Sequence, residues 1–140
     1  MAQPIDLART FLHLGDDGGA EPVKVTGGFW SGKTSQQYDR VVGAFDFRSP
    51  RDLHASTQEM HPEVDEVLLL ISGAIDVLLE EAEAECTIAL EAGQAAIVPR
   101  GVWHRLVMRS PGRLLFINNR RGIRSRPLGA KRGDRACNPT

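Results

Sequence analysis

Two histidines and two glutamates stand at spacings that suit a metal ion. In "QEMHPEVDEVLLLISG", Glu59 and His61 are two apart, so on a strand both side chains leave the same face with Cα atoms ~7 Å apart. Pro62 lacks a backbone donor and breaks the pairing, which lets the chain re-phase before the next strand. Glu66 then shares a face with Leu68 and Leu70, and an ionised carboxylate aimed into a core is costly unless a cation meets it. In "GQAAIVPRGVWHRLVM", His104 shares its face with Leu106 and Met108, while Trp103, Arg105 and Val107 look the other way. Each segment therefore aims an N or O donor inward from the start of an apolar strand. Two imidazoles with one or two carboxylates make a sensible ligand set for one divalent transition metal: Fe, Mn, Zn or Ni.

The elements that must position these groups read as strands. "RVVGAFDF" (40–47) puts Val41, Gly43, Phe45 and Phe47 on one face, and "EVLLLIS" (66–72) is apolar on both faces, as a strand in the middle of a sandwich would be. Gly73 breaks that run, and "AIDVLLE" (74–80) resumes with alternation. "EEAEAE" (80–85) reads as an exposed hairpin end. "CTIAL" (86–90), "AAIV" (95–98), "VWHRLVM" (102–108) and "RLLFIN" (113–118) complete the set. Short strands at close spacing point to an all-β sandwich or barrel. One short helix is expected at residues 6–14.

At the two donor segments the chain resembles the cupin family, small jelly-roll metalloproteins. The first cupin motif reads G-x5-H-x-H-x3–4-E-x6-G, and its counterpart here is Glu59-x-His61-x4-Glu66-x6-Gly73. The second reads G-x5-P-x-G-x2-H-x3-N, against Gly93-x5-Pro99-x-Gly101-x2-His104-x3-Met108. Two positions depart: Glu59 stands in place of a histidine, and Met108 in place of an asparagine. The resemblance implies a cupin barrel of two antiparallel sheets with the metal inside, held by His61, Glu66 and His104. Glu59 completes the set as a fourth ligand or holds His61 by its other nitrogen. A hydrogen-bonded cluster without metal is the competing reading of the same residues. Phe45, Phe47, Met108 and Phe116 are the candidates for a substrate-binding wall, although core packing accounts for the three phenylalanines equally well. By the same resemblance the chain is expected to act on a small organic molecule as a metal-dependent dioxygenase or isomerase and to form a homodimer. A non-catalytic binding or sensing cupin is the alternative.

Organisation and charge complete the reading. Residues 1–20 read as an N-terminal arm, 21–118 as the cupin domain and 119–140 as a basic, flexible tail. The 140 residues carry a net charge of −1, but residues 119–140 hold seven basic residues against the single acid Asp134. A solvated terminus is expected there; the acidic body does not look like a nucleic-acid module. No apolar run approaches the ~20 residues that span a bilayer. Cys86 and Cys137 lack CxxC spacing, so no disulfide and a cytoplasmic location are expected. His13 and His54 are expected in loops or at the surface, Trp30 and Trp103 in the core or an interface, and Arg100 and Arg105 at the rim of the site.

Overall fold

Apolar–polar alternation carries through into ten strands among the residues described by the computed structural model, which are 3–30, 33–82, 84–129 and 133–137. They are β1 (Thr10–Leu14), β2 (Ala20–Lys24), β3 (Arg40–Phe47), β4 (Thr57–Met60), β5 (Glu66–Glu80), β6 (Ala84–Glu91), β7 (Ala95–Val98), β8 (His104–Asn118), β9 (Arg124–Pro127) and β10 (Gly133–Ala136). Among the described residues, helical structure is confined to two 3₁₀ turns, Lys33–Gln37 and Pro50–Leu53.

Two long strands organise the molecule. β5 and β8 pair antiparallel from Val67↔Ile117 to Leu79↔His104, with register shifts between Leu70 and Ile75. Along the first half of β5 and the second half of β8, the neighbours are β7 on one side and β3, β1 and β2 on the other. Along the opposite halves the neighbours are β6 and β10 on one side and β4 and β9 on the other. The result is an all-β barrel of two sheets that share their two central strands.

The bend that moves both strands from one sheet to the other needs glycine. Gly73 has φ +83°, and a Cβ there would lie 2.5 Å from the Pro111 carbonyl oxygen. A Cβ on Gly112 would lie 1.9 Å from the Ser72 oxygen. Bulges and glycine are the usual means of turning a sheet corner. Between the sheets, Phe47, Leu70, Ile75, Val77 and Leu114 are fully buried. Glu66, Leu68 and Leu70 do share the buried face of β5.

Four expectations need correcting. Residues 10–14 are strand, not helix: β1 is paired on both sides, by β2 and β3, and this tertiary pairing outweighs local preference. Within the expected arm, 1–20, β1 is thus an integral strand of the sheet. The basic C-terminal segment is built into the fold, with β9 on β4 and β10 parallel on β6. Finally, Cys86 and Cys137 form a disulfide across a sequence separation of 51, which removes the basis for expecting a reducing, cytoplasmic location. No described helix is long and apolar enough to cross a membrane.

The docked segment explains the uneven charge. Arg121 meets Asp39 at 2.7 Å, Arg126 pairs with Glu80, and Arg135 pairs with Glu81. Arg126 also stacks 4.0 Å over Trp103, which places that tryptophan under the C-terminal segment. Three of the seven basic residues thus find their acids within the same chain.

Candidate metal centre

The site forms where the two sheets face each other. β4 carries Glu59, in register with His104 at the start of β8, and His61 follows directly after β4. From the other sheet come Glu66, at the head of β5, and Asn118, at the foot of β8. His61, Glu66, His104 and Asn118 are all buried.

Hydrogen bonds fix which nitrogens face the centre. The His61 Nδ1–H donates to the Asn119 carbonyl at 3.0 Å, because a carbonyl can only accept. The His104 Nδ1 faces the Val102 carbonyl at 3.4 Å in the same sense. Both Nε2 atoms are thereby left as acceptors that point inward, the arrangement that prepares an imidazole for a metal. Between them sits Glu66, with Oε2 3.3 Å from His61 Nε2 and Oε1 3.1 Å from His104 Nε2. The 3.3 Å contact lacks hydrogen-bond alignment, and His61 Nε2 is a buried atom without a partner among the described residues. Asn118 Nδ2 donates to Glu66 Oε2 at 2.6 Å and holds the carboxylate in place.

Acceptors thus converge on one point, and something positive must lie among them. Glu59, His61 and His104 each place a donor atom within 4.8 Å of the others. Two ligands of one ion at ~2.1 Å lie at most ~4.2 Å apart, so small side-chain rotations would close the set. The Glu66–histidine separations already suit neighbouring ligands of one ion, which lie ~3 Å apart at right angles. The residues fit a divalent cation. In its absence protons must serve. Burial opposes charge on His61, but the Glu66 carboxylate 3.3 Å away outweighs it and raises the imidazole above its ordinary value. Burial likewise opposes ionisation of Glu66, yet the two imidazoles, His104 at 3.1 Å and His61 at 3.3 Å, overcome it and hold the carboxyl well below the usual carboxylate range.

A cavity of about 460 Å³ opens onto Glu59, Glu66 and His104. Its body is apolar, with Phe11, Phe45, Leu106, Leu114 and Phe116 on the walls. Of the four residues expected to contact substrate, Phe45 and Phe116 line this cavity. Phe47 does not, being fully enclosed in the core, and neither does Met108, which pairs with Ile75 at the bend. His54 is exposed, as expected, and stands at the edge of this cavity with a left-handed backbone (φ 52°). His13 is held by Glu21 and Asp39, away from the centre. Arg100 is taken up by Asp65, and Arg105 forks onto Glu85 at 2.8 and 2.9 Å.

Three contributors escaped the sequence reading: Asn118, Asn119 and Arg120. Asn118 continues the inward phase of Leu114 and Phe116, so a polar residue in an apolar phase was the available signal.

Residues 50–118 match the family model described as a cupin domain. No curated protein matches the chain. Three solved structures are similar over part of the chain. A cupin-2 domain protein from Shewanella frigidimarina is 19% identical, over 59% of this chain and 72% of that one, with TM-score 0.45. Oxalate oxidase in complex with the substrate analogue glycolate is 18% identical, over 61% and 45%, with TM-score 0.49. Cobalt HppE in complex with substrate is 20% identical, over 56% and 44%, with TM-score 0.47. The chain spans less than half the length of the last two.

Proposed function

We propose that this chain, which belongs to the cupin superfamily, is a metalloenzyme that holds one divalent transition metal and acts on a small organic substrate in the adjoining cavity. The observation that carries the reading is the inward convergence of acceptors, with His61 Nε2 left unpartnered among the described residues. His61 and His104 would hold the ion through Nε2, and Glu66 through its carboxylate. Fe, Mn, Zn and Ni all suit such a mixed N/O set. When bound, the metal supplies Lewis acidity or, for a redox-active ion, the activation of dioxygen.

The remaining groups have work of their own. Asn118 keeps Glu66 aligned by donating to Oε2. Glu59 is half-buried on the cavity wall, where it serves as a fourth ligand or as the base that accepts a substrate proton. The phenylalanine and leucine walls exclude water and orient the substrate's apolar portion. Association as a homodimer belongs to the same proposal, supported by the exposed apolar side chains Leu69, Ile71 and Ile97 on β5 and β7.

Turnover by metal-loaded protein against a panel of small organic acids, sugars and keto acids tests the reading. Oxidative cleavage is expected to consume oxygen in step with product, and isomerisation to consume none. Saturable ligand binding without turnover, for every metal, would favour the non-catalytic alternative.

A further inference from the structure

One cation of the cavity is not accounted for by the centre. Arg120 lines the cavity together with Glu59, Glu66 and His104. Its neighbours along the C-terminal segment, Arg121, Arg126 and Arg135, each reach a carboxylate. So does Arg105, the other arginine on the cavity wall. Arg120 meets no carboxylate at ion-pair distance among the described residues. One Nη2 donates to the Trp30 carbonyl at 3.0 Å, and the guanidinium stacks 4.9 Å from the Trp30 ring. Trp30 is in turn packed edge-on against Phe11 and Phe29 at 5.4 and 5.2 Å. The arginine is therefore held from one side, and most of its five donors remain open.

Burial disfavours the charge on this guanidinium, opposed by the nearby charges of Glu59 and Glu66. Those two carboxylates are also the candidate metal ligands. A divalent ion between them would cancel their charge and leave Arg120 uncompensated beside an apolar cavity. Such a charge calls for an anion. A planar fork matches one carboxylate in two parallel hydrogen bonds, whereas a phosphate would call for further cations.

We propose that Arg120 is a substrate-binding residue that anchors the carboxylate of a small organic acid, whose apolar body lies against Phe45, Phe116 and Leu114. This rests on the metal-centre reading above for the charge balance, and it narrows the substrate class to monocarboxylates. Trp30 is the positioning residue that keeps the guanidinium turned into the cavity.

Calorimetric titration of the full-length, metal-loaded protein with benzoate and hexanoate tests it, with benzamide as the uncharged control. At least one carboxylate should bind with a dissociation constant at or below about 1 mM, and benzamide about tenfold more weakly or not at all. Arg120→Gln should weaken carboxylate binding by at least about tenfold at unchanged metal content, and Arg120→Lys should fall between. Carboxylate binding within about twofold of wild type in Arg120→Gln, or no saturable binding of either acid to wild type, overturns the assignment. Metal content, measured on the same samples, separates the two readings. A wild type that takes up no metal defeats the metal centre, while the titration on that protein still decides the role of Arg120.

Discussion

His104 and Arg105 are neighbours in β8, yet each ends in a buried charge cluster of a different kind. Arg105 closes a fork on Glu85, and both oxygens of that carboxylate are used. His104 joins His61 around Glu66, in a cluster where His61 Nε2 and the Asn118 and Asn119 side-chain oxygens lack partners among the described residues. Adjacent positions of one strand thus supply both arrangements. A closed pair is complete as it stands and serves the fold. An open, acceptor-rich cluster is complete only with a cation, which marks it as the place for chemistry.

The contrast can be broken in several ways. The largest effect on stability is expected from the closed pair. Arg105→Met removes both fork hydrogen bonds from the buried Glu85 carboxylate and should cost about 3–5 kcal/mol in chemical denaturation, with metal content unchanged. If it lowers metal uptake instead, the two clusters are not independent. Next comes the disulfide, whose Cys86 adjoins Glu85 on β6. Removing it in the Cys86→Ala, Cys137→Ala double variant should cost about 2–4 kcal/mol and spare the metal site, since β10 docks on β6 and not on β4. Asn118→Leu acts on the open cluster only: it frees Glu66 and should weaken metal affinity about 10–100-fold in a competition titration.

The smallest effect is a matter of sign. His61 is raised, so in metal-free protein its contribution is complete below the ordinary histidine value of ~6.5 and is lost as pH rises through the raised value. Glu66 is lowered, so its contribution is present above the ordinary carboxylate value and is lost only in acid. Metal-free protein should therefore lose stability above pH ~6.5, by no more than ~1.4 kcal/mol per pH unit for one proton. Metal affinity should rise over the same range, because the ligands must shed protons. His61→Ala should abolish the metal-free slope in denaturation curves.

The same contrast shows what could be read from the sequence. Glu66 and His104 were legible because a charged residue in the inward phase of an apolar strand is conspicuous, and Gly93, Pro99 and Gly101 fixed the approach to His104. The extents of β3 and β7 followed from alternation alone. Less visible was that residues 66–80 and 104–118 each form one strand: the breaks at Gly73 and Gly112 are bends within strands, not ends. The C-terminal segment misled for an electrostatic reason. Its arginines look like a solvated run until the acids that receive them, Asp39, Glu80 and Glu81, are brought alongside by the fold. Neither the Cys86–Cys137 bond nor Arg120 carries any local pattern, since both depend on where that segment docks.

Metal stoichiometry is the most direct test of the central claim. Wild type, His61→Ala and His104→Ala would each be reconstituted with Fe(II), Mn(II), Zn(II) and Ni(II) in turn and analysed for bound metal. The account predicts about one equivalent of at least one metal in wild type and less than about 0.2 in either variant. Less than about 0.2 equivalents of every metal in wild type, or equal uptake by all three proteins, would contradict it.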